Sequence, residues 1–204
     1  LGGKLPTNPV NADTIALRQE KVTLGSVKIE EPLTSQFTLV VKHNALFTAL
    51  LEDLVKVFDV YAVIRNPLDL LISWQTVDLP VNRGRVPMGE RFDPAFSASL
   101  NQEGSVLKRQ IKLIDWFFKR YDRLLATSKI IRYEDVIASS GTCLNVIANS
   151  SVKGPLPLSP QTQIGRTSVE TLRTLRNILL STPGMVEPYY TTDEIEAEYQ
   201  RLKP

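Results

Sequence analysis

Between Val60 and Ser73 the chain reads Val-Tyr-Ala-Val-Ile-Arg-Asn-Pro-Leu-Asp-Leu-Leu-Ile-Ser, a buried-type apolar strand that runs straight into a charged turn and a helix. Much of this junction is ordinary helix chemistry. Asn66 is a good N-cap, Pro67 suits the first helical position, and Asp69 sits third, where a carboxylate favours the helix dipole. Those requirements explain three residues and leave two. Arg65 stands at the carboxyl end of a strand expected to be buried, where a guanidinium is costly unless it meets an anion. Ser73 lies seven residues past the cap, about two helical turns on, which brings its hydroxyl back over the turn that Arg65 leaves. An arginine at a strand end and a serine on the following helix make a phosphate clamp; a plain strand-to-helix joint is the alternative.

The rest of the chain alternates in the same way. Leu39 to Lys42 and Val60 to Ile64 are short apolar runs of buried-strand type, with Ser128 to Arg132 a shorter, more polar third. His43, Arg65 and Tyr133 then each fall at the carboxyl edge of a strand, where open α/β sheets place ligands. Asn44 is expected to cap a helix with Leu46, Leu50, Leu54 and Val57 on one face, and a helix between two strands is the unit of a parallel sheet. From Ser105 to Ala126 the stripe Leu107, Ile111, Ile114, Phe118, Tyr121 and Leu125 predicts a long core-facing helix flanked by Trp116 and Phe117. A short helix is expected over 142–148, a surface loop over 150–164, and helices over 168–181 and 192–202, the last capped by Thr192. Residues 78–94 read as a long loop whose Arg83, Arg85 and Arg91 either greet an anionic acceptor or solubilise the surface. Lys108, Arg109, Lys112, Lys119, Arg120, Arg123, Lys129 and Arg132 read as a solvated helix face. Glu134 and Asp135 read as a helix start.

Arg65-Asn-Pro-x-Asp-x-x-x-Ser73 resembles the 3′-phosphate-binding segment of sulfotransferases that use 3′-phosphoadenosine 5′-phosphosulfate. Upstream, Phe37-Thr-Leu-Val-Val-Lys-His43 is similar to the family strand that ends in a lysine and the catalytic histidine, and the interval from His43 to Arg65 also matches. Downstream, Ile130-Ile-Arg-Tyr-Glu-Asp135 is similar to the Tyr-Glu-Asp segment whose tyrosine lies at the adenine. The three matches occur in order and span about half the chain. The resemblance implies a three-layer P-loop-type α/β fold with a central, mainly parallel sheet flanked by helices. It implies transfer of a sulfuryl group to a hydroxyl or amine of a small-molecule or glycan acceptor, leaving adenosine 3′,5′-bisphosphate.

By that resemblance His43, the chain's single histidine, is the general base, and imidazole alone changes charge near neutral pH unaided. Lys42 is a second candidate electrophile, although the family lysine usually lies two residues before the histidine, and adjacent strand residues face opposite ways. Arg65 and Ser73 hold the 3′-phosphate, Tyr133 packs on adenine, and Arg166 occupies a place where some relatives add a late arginine. Sulfuryl transfer depends mainly on in-line placement and charge stabilisation, so no metal is expected.

At 204 residues and 43% hydrophobic, one domain is expected across 1–204. A formal charge of +2 gives no reason to expect nucleic acid as partner, and Cys143, the single cysteine, fits a reducing, cytoplasmic setting. No apolar run approaches a membrane span, and Asn149-Ser-Ser151 is a sequon of the kind that arises by chance. Oligomeric state is not legible. The family's glycine-rich phosphosulfate loop does not occur, since Gly2-Gly-Lys4 lacks both a Ser/Thr partner and a preceding strand. The chain opens on Leu1 rather than methionine, so the expectation is an N-terminal strand and loop lying upstream. The alternative is a non-catalytic 3′-phosphonucleotide-binding protein that has lost the sulfate end. A P-loop kinase would need a Walker lysine and magnesium ligands, and neither is visible.

Overall fold

The computed structural model describes residues 2–7, 21–26, 37–148, 158–160, 167–182, 184 and 187–203. At the coarse level the architecture is α/β: mostly helical, with a small open parallel sheet of two strands. That sheet pairs β3 (Ala62–Ile64) with β4 (Ile130–Arg132) in the register Ala62↔Ile130, Val63↔Ile131 and Ile64↔Arg132. A separate antiparallel pair joins β1 (Gly2–Thr7) to β2 (Lys21–Ser26).

The strand expected at Leu39 to Lys42 does not form. Residues 37–43 carry no ladder, and Phe37, Leu39, Val40 and Val41 are 55 to 65% exposed. A parallel strand is stable only between neighbours that complete its hydrogen bonds and cover its faces, and an apolar run cannot by itself recruit them. The helix after it is also broken: α1 (Asn44–Ala49) ends at Leu50, and α2 (Leu51–Leu54) follows it. Its buried side is Thr48, Ala49 and Leu51, and Val57, expected on the apolar face, is exposed.

Four helices supply most of the core, with Ile64 of β3 and Phe96 and Leu100 from the segment 94–101 packed against them. α3 (Pro67–Gln75) buries Leu68, Leu71, Ile72 and Trp74, and α6 (Val106–Leu124) buries Ile111, Leu113, Ile114, Trp116 and Phe118. α9 (Val169–Leu180) contributes Leu172, Leu175 and Leu179, and α10 (Thr192–Leu202) contributes Ile195, Tyr199 and Leu202. Ser105 and Ser168 cap α6 and α9, while the cap of α10 is Thr191 rather than Thr192, and it forms a reciprocal capping box with Glu194. α7 (Tyr133–Ala138) opens on Glu134 and Asp135, and a short α8 (Asn145–Ala148) follows a single turn at Thr142–Leu144.

Residues 78–94 are not a loop. A single helical turn at Pro80–Arg83, α4 (Pro87–Phe92) and the start of α5 (Pro94–Asn101) occupy them, each opening on a proline. Proline breaks an existing helix but is preorganised for the first position of a new one, so its density here marks starts. Arg83 pairs with Asp78 at 3.0 Å, and Arg85 bonds the buried Glu90 and Asn101. The basic run is likewise more than a solvated face. Arg120 donates to the carbonyls of Thr48 at 2.7 Å and Ala49 at 2.8 Å, capping the end of α1, and Lys112 donates to Ser99. Lys108, Lys119 and Arg123 do stay on the surface. Tyr121 reaches α1 through a 2.9 Å hydrogen bond with Thr48, and burial pushes its phenol up to about 12.

Candidate functional site

The parallel register sets the site. Because Ile64 stands opposite Arg132, the next residues, Arg65 and Tyr133, leave the sheet side by side at its carboxyl edge. The Arg65 guanidinium lies over the Tyr133 ring, 4.6 Å from its centroid. Sixty-eight positions of sequence separate the two, and three ladder pairs bring them together.

Arg65 is also bound internally. Its Nε donates to Asp69 Oδ2 at 2.5 Å, and Nη2 pairs with the same oxygen. The two side chains are 18% and 6% exposed, so this is a largely buried pair. Burial raises the Asp69 carboxyl above its ordinary range; Arg65 pulls it down, Glu198 adds to the rise and Arg201 opposes it. Asp69 and Ser73 are four apart on α3 and so neighbour one another on its surface, while Arg65 precedes the Asn66 cap. Ser73 is half-buried in the last turn, where its carbonyl accepts from the Thr76 amide and hydroxyl. An anion approaching Arg65 meets Asp69 already paired with it.

A second network braces the corner. Glu134 Oε1 accepts the Asn66 amide at 2.8 Å, and its Oε2 accepts the Tyr190 hydroxyl at 2.8 Å. Asn66 caps α3 through its side-chain oxygen and donates Nδ2 to the Glu194 carbonyl. Arg132 stacks on Tyr190 at 4.4 Å and reaches Glu194 Oε1 at 2.6 Å. Although burial opposes it, the Thr191 amide and Arg132 hold the Glu194 carboxyl below the usual carboxylate range. Burial raises the Tyr190 phenol, and the neighbouring Glu134 adds to that rise. Glu134, Tyr190 and Glu194 were not singled out as site residues, since no local spacing links Glu134 to a segment 56 positions away. Glu134 does begin α7 as expected, and it also holds the start of α3.

The other expected residues lie as follows. His43 is the N-cap of α1, in place of Asn44, and its Nδ1 accepts the Leu46 amide at 3.3 Å. Its ring tilts against Phe47 and is exposed, as is Lys42 beside it. Arg166 lies outside the described residues. An open groove of about 260 Å³ is lined by Gln75, Leu107, Gln110, Thr174 and Leu175 among others, and includes none of Arg65, Ser73 or Tyr133.

The structure brings Arg65 and Tyr133, a cation and an aromatic ring, together at one sheet edge, and leaves Ser73 in the last turn of α3. The described residues supply no glycine-rich cradle for a phosphosulfate. Among them no helix is long and apolar enough to cross a membrane. No family model, curated protein or solved structure matches this chain.

Proposed function

We propose that the chain is a sulfotransferase domain of P-loop-type, three-layer fold that uses 3′-phosphoadenosine 5′-phosphosulfate. Arg65 and Ser73 hold the 3′-phosphate, and Tyr133 packs against the adenine. One observation carries the reading: the parallel register of β3 and β4 delivers Arg65 and Tyr133 to the same carboxyl edge. The bound donor supplies the activated sulfuryl group. The chain's own part is to fix the nucleotide at its 3′ end, and to take the acceptor's proton at His43.

A second reading is favoured by the state of that histidine. A neutral imidazole that accepts a hydrogen bond at Nδ1 carries its proton on Nε2. Nε2 is then a donor, and His43 becomes a base only by releasing the α1 cap or changing tautomer. A 3′-phosphonucleotide-binding protein without transferase activity needs no such change.

Calorimetry with adenosine 3′,5′-bisphosphate against 5′-AMP tests the shared part of both readings, and equal affinity for the two refutes it. Given selectivity for the bisphosphate, sulfuryl transfer that His43→Ala abolishes supports the enzyme. Selective binding without transfer supports the second reading.

A further inference from the structure

We propose that Asp69 is a resident counter-ion that an incoming anion displaces from Arg65, so that the corner favours doubly charged phosphate monoesters over singly charged diesters and takes up a proton as it loads. The inference rests on reading Arg65 as the 3′-phosphate ligand. Its geometric basis is that Nε and Nη2 of Arg65 converge on a single Asp69 oxygen, with both side chains largely withdrawn from water and Ser73 one turn past Asp69 on α3.

Exchange at such a site is a comparison of anions. Replacing one carboxylate by another single charge leaves the Coulomb energy of the guanidinium nearly unchanged, whereas a dianion about doubles it at equal distance. A phosphate monoester therefore outcompetes Asp69, and a diester does so weakly.

The displaced carboxylate stays on α3, beneath α10. Its charged and titratable surroundings are Glu198 and Arg201 on α10, with Glu134 and Tyr133 on α7 beyond Arg65. From the turn before α4, Arg83 is committed to Asp78, and the buried face of α9 is Leu172, Leu175 and Leu179. The other cation that acts on Asp69 is Arg201, and Glu198 already engages that guanidinium at 2.5 and 2.8 Å. Stripped of Arg65, a buried Asp69 binds one proton and becomes neutral. Loading and protonation are thus linked, and binding weakens as pH rises through the range in which Asp69 must take up that proton.

Inorganic sulfate, which keeps both charges across the range, is the probe for the full chain between about pH 5 and pH 8. The expected result is a sulfate affinity that falls at least threefold from the acid to the alkaline end. In Asp69→Asn it is tighter at the alkaline end and at least part of the slope is gone. The difference between the two slopes is the quantity read. Identical slopes and affinities overturn the role of Asp69 while leaving the clamp standing, provided adenosine 3′,5′-bisphosphate still binds better than 5′-AMP. Failure of that preference in both proteins ends the clamp reading and this inference with it. Should Asp69→Asn not fold, calorimetry of the unaltered chain in two buffers of different ionisation heat decides: proton uptake on sulfate binding supports the proposal, and none overturns it.

Discussion

Removing the Arg65 guanidinium while Asp69 stays in place strands a carboxylate that is 6% exposed, and breaking a buried pair from one side costs about 3–5 kcal/mol. The cost depends on pH in a definite sense. Asp69 sits above its ordinary value of 3.8, so the folded chain holds that proton more tightly than the unfolded chain does. Its contribution is present below that value and is lost as pH rises through the folded one. In Arg65→Met the carboxyl climbs further, so urea midpoints of variant and parent should converge near about pH 4 and separate by pH 7. A gap of equal size at both refutes the pairing. For His43, loss of the N-cap in His43→Ala should cost about 1 kcal/mol, and His43→Asn should restore most of it. A transfer assay on the same two proteins separates roles: a base is lost in both, a cap only in the first. The cap at Asn66 was legible in the sequence because a cap depends on residues within one turn. At His43 and Thr191 the true cap is the residue before the expected one, and two polar neighbours compete for the role.

The helical segments between α3 and α6 show why turns were harder to read than helices. Gly84 closes the turn after Pro80–Arg83 with a φ of +66°, and an added Cβ would stand 2.5 Å from Arg109 Cβ and 3.0 Å from the Val106 carbonyl. Gly84→Ala therefore meets both backbone strain and a rigid neighbour, and should lose about 2 kcal/mol or more in a urea melt. A loss below about 0.5 kcal/mol would mean the turn is not held against α6. The apolar period of α6 was readable along its whole length, because one amphipathic face repeats several times. The strand expected at Leu39 to Lys42 was misread for the opposite reason: four apolar residues describe a strand only where a neighbour exists to pair with it. The arginines and lysines of the basic run were read as solvated, yet Arg120 and Lys112 satisfy carbonyls that lie far off in sequence.

Across the molecule, burial is uneven. The four-helix core is closed, whereas the sheet is open: Val63 in β3 is 55% exposed, and Phe37, Leu39, Val40 and Val41 are uncovered as well. Contiguous apolar exposure favours association. Val40→Glu should lower concentration-dependent light scattering while moving the unfolding free energy by less than about 0.5 kcal/mol. Unchanged scattering with a large loss of stability would show instead that Val40 is packed in solution. Half of the candidate site, Arg65 and its partner Asp69, lies within one stretch of fourteen residues. The bracing of Asn66 by Glu134, Tyr190 and Glu194 does not, since it joins segments up to 128 positions apart. That bracing has a temporal consequence. A polypeptide emerges from the ribosome in order, so the start of α3 must wait for α10 before its cap is fully held. Stalled nascent chains that expose residues only to 188 should be cut by protease near Arg65, and chains that expose residue 203 should resist; equal resistance would mean the corner sets without its last brace.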